Sequence, residues 1–180
     1  YICEKIAIEK LKHFVSKEAF NIEGFGKKIV ENFWKLKLLK FPQDIFKLDY
    51  NKIRNLDGWG NLSASNLKYA IESKKNIQLD KFIYSLGIRH IGQENAKLLA
   101  RHLKTANNFF NLSLKKDIDE LKNIDGIGDT QINSIINFFL NKTNQEFLFE
   151  LKKVLEITDT LQLSQSGLFK NKTFMFTGKL

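Results

Sequence analysis

Four glycine turns recur along this chain at nearly even spacing, and they narrow the fold more than any other feature. Ile22-Glu23-Gly24-Phe25-Gly26, Leu56-Asp57-Gly58-Trp59-Gly60, Ile88-Arg89-His90-Ile91-Gly92 and Ile124-Asp125-Gly126-Ile127-Gly128 align on their last glycine. The anchors stand at 26, 60, 92 and 128, so the repeats are 34, 32 and 36 residues apart. A period of that size marks a recurring supersecondary unit. Four residues before the anchor stand Ile22, Leu56, Ile88 and Ile124, and one before it Phe25, Trp59, Ile91 and Ile127. Four after it come Val30, Ala64, Ala96 and Ile132, and seven after it Phe33, Leu67, Leu99 and Ile135. Apolar residues at +4 and +7 describe the buried face of a helix that starts just past the turn. Each unit therefore reads as helix, tight glycine turn, helix.

Such a turn suits a particular ligand. Glycine reaches positive φ without steric cost, so two glycines let the chain reverse within a few residues. The apolar residue between them, Trp59 in the second turn, points inward and pins the turn to the core. The missing side chains leave backbone N–H groups bare at the start of the second helix, where four donors lack intrahelical partners and the helix dipole is positive. A phosphate oxygen fits there without any base being read.

The charge agrees. The formal net charge is +9, and the excess of lysine and arginine lies within the first 110 residues, while 111–180 carry nine bases and nine acids. A polyanionic partner is the natural consequence, nucleic acid first and an anionic membrane second. A lysine-rich, AT-biased proteome is the other source of such a composition. No apolar run approaches the roughly 20 residues of a membrane span, and the N-terminus is no signal peptide. One cysteine excludes an internal disulfide framework and suits a reducing cytoplasm.

The four turns differ in what flanks them. Lys27 and Lys28 follow the first. Asn61 and Ser63 follow the second, as short donors, with Lys68 a turn later. Arg89 and His90 sit within the third, where His90 replaces the first glycine and should alter the turn slightly. Asp125 and Asp129 flank the fourth and repel phosphate. Turns one to three are expected to contact a duplex, and the fourth to be mainly structural. The candidate DNA-binding set is Gly24, Gly26, Lys27, Lys28, Gly58, Gly60, Asn61, Ser63, Arg89, His90, Gly92, Gly126 and Gly128.

The turns resemble the helix-hairpin-helix motif, and four in register make that specific. Beyond the turns, the stretches 13–28 (HFVSKEAFNIEGFGKK), 57–67 (DGWGNLSASNL), 81–100 (KFIYSLGIRHIGQENAKLLA) and 124–128 (IDGIG) resemble the bacterial NAD-dependent DNA ligases. Residues 171–180, NKTFMFTGKL, are similar to the opening strand of the BRCT domain of those enzymes, and Cys3 falls where the family has the last of four zinc-binding cysteines. The resemblance implies a parent enzyme that seals nicks in replication and repair. It uses NAD to adenylate a lysine, with magnesium for the phosphoryl steps and a structural zinc. It also implies a cytoplasmic, nucleoid-associated protein, with nicked double-stranded DNA as partner.

The adenylating motif of that family is Lys-x-Asp-Gly. Here the two Asp-Gly pairs follow Asn55 and Asn123, so no residue of this chain is expected to be catalytic. Cys3 alone cannot hold zinc, which needs four ligands, and His13 and His102 read as helix-face residues. The chain therefore reads as an internal fragment that binds no cofactor itself and is monomeric. Its expected fold is all-α: four tandem helix-hairpin-helix units as two pseudo-symmetric pairs, with a C-terminal extended segment. Residues 1–4 are a zinc-finger remnant, 5–155 the helix-hairpin-helix domain, 156–170 a linker and 171–180 a truncated BRCT strand. Helices are expected at 5–20, 27–38, 49–56, 63–75, 79–87, 93–103, 116–123, 129–141 and 145–155, with Asn144 as N-cap of the last and a single turn at 41–48. A helix-hairpin-helix module of another repair protein and a protein-interaction scaffold are the competing readings.

Overall fold

Each anchor glycine leads directly into a helix in the computed structural model, which describes residues 4–112 and 119–160. The four are α2 (Lys27–Lys35), α4 (Asn61–Glu72), α6 (Gln93–Leu103) and α8 (Asp129–Leu140). The apolar residues at +4 and +7 are buried in all four, from Val30 and Phe33 to Ile132 and Ile135. Burial of that stripe is what holds each helix against the core, since short helices are marginal on propensity alone.

The elements entering the turns are shorter and less regular than their sequence suggests. α1 (Glu4–Val15) stops well before residue 20. Asn21 adopts φ +48, its N–H bonds Ser16 O, and the chain folds back so that Phe20 stacks on Phe14 at 4.3 Å. Burying both rings outweighs one more helical turn. α2 ends at Lys35, because Lys37 turns left-handed and the N–H groups of Leu38 and Leu39 return to Phe33 O. α3 is a single turn, Tyr50–Ile53, capped by Asp49, whose carboxylate accepts from the N–H groups of Asn51 and Lys52. α5 (Leu79–Ser85) ends before Gly87, at φ +62. A 3-10 turn, Asp119–Asn123, enters the fourth hairpin in place of an α-helix, with residues 116–118 outside the described part. A further 3-10 turn covers Pro42–Lys47.

Two more helices lie among the described residues. α7 (Ala106–Asn111) is capped by Thr105, whose hydroxyl accepts from Asn108 N. α9 (Lys142–Val154) begins earlier than expected, because Asn141 and not Asn144 is its cap: the Asn141 side chain accepts from Asn144 N at 3.2 Å.

The expected linker is structured where it begins. β2 (Glu156–Thr158) pairs in parallel with β1 (Asn76–Gln78), Ile157 opposite Ile77. Thr158 Oγ1 donates to Asn76 Oδ1, Asp159 Oδ1 accepts from Ala106 N, and Thr160 N bonds Lys104 O. Residues 156–160 thus strap the start of α5 to the junction of α6 and α7. The rest of that linker, the BRCT-like strand and Cys3 lie outside the described residues. Among the described residues the fold is mostly helical, with one small two-stranded sheet.

One apolar core runs from Leu11 on α1 to Leu151 on α9. α1 meets α5 where His13 Nε2 lies 2.8 Å from Tyr84 O, with the two rings edge to face. On the rim, Glu150 of α9 pairs with Lys47 and Lys153. No described helix is long and apolar enough to cross a membrane.

Candidate nucleic-acid interface

The four turns have the same backbone. The residue two before the anchor is left-handed in each: Gly24 at φ +72, Gly58 at +76, His90 at +63 and Gly126 at +88. The residue one before the anchor donates three positions back: Phe25 N to Ile22 O, Trp59 N to Leu56 O, Ile91 N to Ile88 O and Ile127 N to Ile124 O, at 3.0 to 3.2 Å. The anchor itself is extended and caps the next helix, its carbonyl accepting the first helical bond from Val30, Ala64, Ala96 or Ile132. His90 therefore does not alter the third turn, as its side chain had suggested. It accepts a left-handed conformation that costs a non-glycine residue about 1 kcal/mol, and Asn95 Nδ2 fixes its carbonyl at 3.1 Å.

The first glycine of turns one, two and four answers to φ. The anchors do not. Gly26 and Gly92 have φ of −75° and −83°, and Gly60 is fully extended, so any residue could adopt them. A Cβ at Gly26, Gly60 or Gly92 would meet no atom of the chain within 4 Å. Neither conformation nor packing within the described residues calls for glycine at those three places.

The fourth turn is closed from within. A Cβ at Gly126 would lie 2.9 Å from Leu98 Cδ1, and one at Gly128 3.4 Å from Gln131 Oε1. That amide oxygen already accepts from Gly128 N at 3.2 Å. Asp125 and Asp129 stand exposed beside it. The second turn is intermediate. Ser63 Oγ accepts from Gly60 N at 2.9 Å and returns to Gly60 O, so the hydroxyl expected to face a phosphate is engaged within the turn. Asn61, at the first position of α4, is exposed. Lys68 stands over the Tyr50 ring, 5.9 Å from its centre.

The cations of the first and third turns are unencumbered. Lys27, Lys28 and Arg89 are exposed and pair with no acid among the described residues. Glu31 lies one turn beyond the two lysines and could hold them, but Lys12 of α1 takes it at 2.6 Å and lowers its pKa by hydrogen bonding. Glu94, just past the third turn, is likewise held by Lys97 at 2.7 Å, which lowers its pKa. Glu31 and Glu94 are thus engaged elsewhere, while Glu23, within the first turn, is exposed and forms no ion pair among the described residues.

Trp59 is half-buried and packs on Phe33, ring centres 5.4 Å apart. It pins the turn as expected, and it also walls a cleft of about 850 Å³ that runs between the first two turns, past Gly24, Gly58 and Ser63. Leu56 and Trp59 are the two repeat positions not fully buried, so the second turn is seated less deeply than the others. No group of three or more histidine, cysteine, aspartate or glutamate side chains is placed to hold a metal among the described residues.

Comparison with known proteins is consistent with this geometry. A family model described as a helix-hairpin-helix motif matches residues 81–148, which contain the third and fourth turns. The chain is 71% identical over 178 residues to a DNA ligase of Pelagibacter ubique, covering 99% of this chain and 26% of that protein. It is 43% identical to a DNA ligase of Rickettsia canadensis over 99% of its length, and 42% identical to one of Wolbachia pipientis over 100%, in each case 28% of the relative. The chain thus spans about a quarter of the length of the curated relatives it matches.

Proposed function

We propose, from the premise that this chain is a segment of the bacterial DNA ligases, that its hairpin turns hold duplex DNA by the phosphate backbone, independently of sequence. The carrying observation is the set of three anchor glycines, Gly26, Gly60 and Gly92, that nothing within the chain requires. The N–H groups of Gly26 and Gly92 stand open at helix starts, that of Gly60 is held by Ser63 Oγ, and Lys27, Lys28 and Arg89 supply charge unpaired among the described residues beside the first two. The four turns act as two pseudo-symmetric pairs, a reading supported by their common backbone. Turns one to three make the contacts, and Gly126 and Gly128 of the fourth serve the fold.

In the complete protein this grip serves nick sealing, with NAD, magnesium and a structural zinc engaged by other segments. The chain supplies binding and not the adenylation step. Its Asp57 and Asp125 lie exposed in the hairpin turns, preceded two residues earlier by Asn55 and Asn123 where a nucleophilic lysine would have to stand.

The test is binding of the chain to nicked and intact duplex across a salt series. If the three turns neutralise roughly six phosphates, log K falls with log salt at a slope of about −5. A slope shallower than about −2 would exclude this footprint. Equal affinity for duplexes of unrelated sequence is expected, because backbone amides read no base edges.

A further inference from the structure

A groove of about 570 Å³ runs between α1, the loop at Phe41 and Pro42, the end of α5 and the start of α9. Its lining is mostly apolar, with Ile6, Phe41, Pro42 and Phe147 along its length and Ile88 and Ile91 of the third turn in its wall. Ile6, Lys10 and His13 stand at i, i+4 and i+7 on α1, so they share one face, beside the face that buries Ala7, Leu11 and Phe14. Ile6 is 54% exposed. A lone exposed apolar side chain is ordinary, but one that extends an apolar groove of this size marks a binding surface.

The free charges of the groove have one sign. Lys5, Lys10 and Lys40 line it, all three are exposed, and none pairs with an acid among the described residues. The one carboxylate in its lining among the described residues, Glu9, is held by Lys12 at 2.8 Å. Asp44 accepts from the N–H groups of Lys40 and Phe41 at 2.9 and 2.8 Å, which fixes the loop that carries Lys40. The Lys40 ammonium stands over the Phe41 ring, 5.3 Å from its centre, so charge and apolar surface adjoin at the rim.

A duplex would pair with these lysines but has no long apolar side chain for the groove. A second copy of this chain, docked by the same face about a two-fold axis, would set three lysines against three lysines. A peptide with large apolar side chains between carboxylates satisfies both the floor and the rim. We propose that this groove docks a short acidic segment of a partner protein, with its apolar side chains against Ile6, Phe41 and Phe147 and its carboxylates on Lys5, Lys10 and Lys40. The proposal stands apart from the duplex reading, because no residue of the candidate DNA-binding set lines the groove.

The experiment records NMR spectra of the chain with a panel of acidic dodecapeptides, each carrying phenylalanine and leucine about three or four residues apart among glutamates. A second panel has lysine in place of glutamate. Acidic peptides should shift the signals of Ile6, Leu86 and Phe147 selectively and bind at least about tenfold more tightly than their lysine counterparts. Lys10→Glu combined with Lys40→Glu should weaken them by about tenfold, and Ile6→Ser by about fivefold, with the thermal midpoint unchanged because all three side chains are exposed. The lysine pair keeps the test decisive if Ile6→Ser melts early. Lys10→Glu with Lys40→Glu should cost far less duplex affinity than Lys27→Glu with Lys28→Glu. No selective shift with any acidic peptide up to about 1 mM overturns the proposal. Equal affinity for the lysine panel overturns it as plain apolar adhesion, and a concentration-dependent dimer that Ile6→Ser abolishes makes a second copy the occupant instead. A duplex loss at Lys10 and Lys40 as large as that at Lys27 and Lys28 overturns it by assigning the rim to DNA.

Discussion

Gly92 and Gly128 occupy matching places in two turns with a left-handed residue at the same position, the same hydrogen bond and the same extended cap, yet the space before Gly92 is empty and that before Gly128 is filled. Gln131 closes the fourth turn by accepting the N–H that a phosphate would need, and Leu98 presses on Gly126 from the neighbouring hairpin. Arg89 and His90 flank the one turn, Asp125 and Asp129 the other. The lesson is that the hairpin backbone is a fold element first. On the proposed reading it serves as an anion site where its approach stays clear, as before Gly26 and Gly92.

The comparison breaks most easily at the anchors. Changing Gly26 and Gly92 together to leucine should weaken duplex binding by about 100-fold, on the order of 1–3 kcal/mol for each lost approach. The thermal midpoint should hold, because φ and space admit the side chains. Gly128→Leu should alter binding less than about twofold. Equal losses at all three would mean that the fourth turn also meets DNA. Next in size, the fourth turn should matter to stability. Gly126→Ala forces a left-handed alanine and displaces Leu98, costing about 1–2 kcal/mol in a denaturant titration, with DNA affinity unchanged. Smaller still, replacing Asp125 and Asp129 with asparagine should raise affinity about twofold to threefold at low salt. No gain would show that the Gln131 cap alone closes that turn.

The smallest effect lies on the rim. Glu150 is held down to about pKa 2 by hydrogen bonds from Lys153 and Lys47. A depressed carboxylate contributes stability that is complete above its unfolded pKa near 4.5 and is lost as pH falls toward 2. Glu150→Gln should therefore leave the melting temperature at pH 7 nearly unchanged, as surface pairs do, and slightly flatten its decline below pH 4.5.

Much of this was legible because glycine spacing and the +4 and +7 positions carry the repeat in one dimension. The starts of α2, α6 and α8 follow directly from the anchors. What could not be read depends on partners distant in sequence. The early end of α1 follows from the stacking of Phe14 and Phe20. The strap at 156–160 pairs three residues with three others, too short for any periodicity. α7 had a signal in Thr105, a good cap, in a stretch where the repeat gives no guidance. The closure of the fourth turn at Gly126 was hidden because Leu98, 28 residues earlier, meets it only in the folded chain.

The strap has a consequence for how the molecule comes into being. Residue 76 must find residue 156 across about eighty intervening residues, a closure that is slow compared with forming a local helix hairpin. The first two turns are complete once residue 72 has left the ribosome. The third turn hangs from α5, and α5 is fastened to the core partly by a strand made last. A growing chain therefore carries the first two turns for the whole time, at roughly 5–20 residues per second, that α5 waits for its latch.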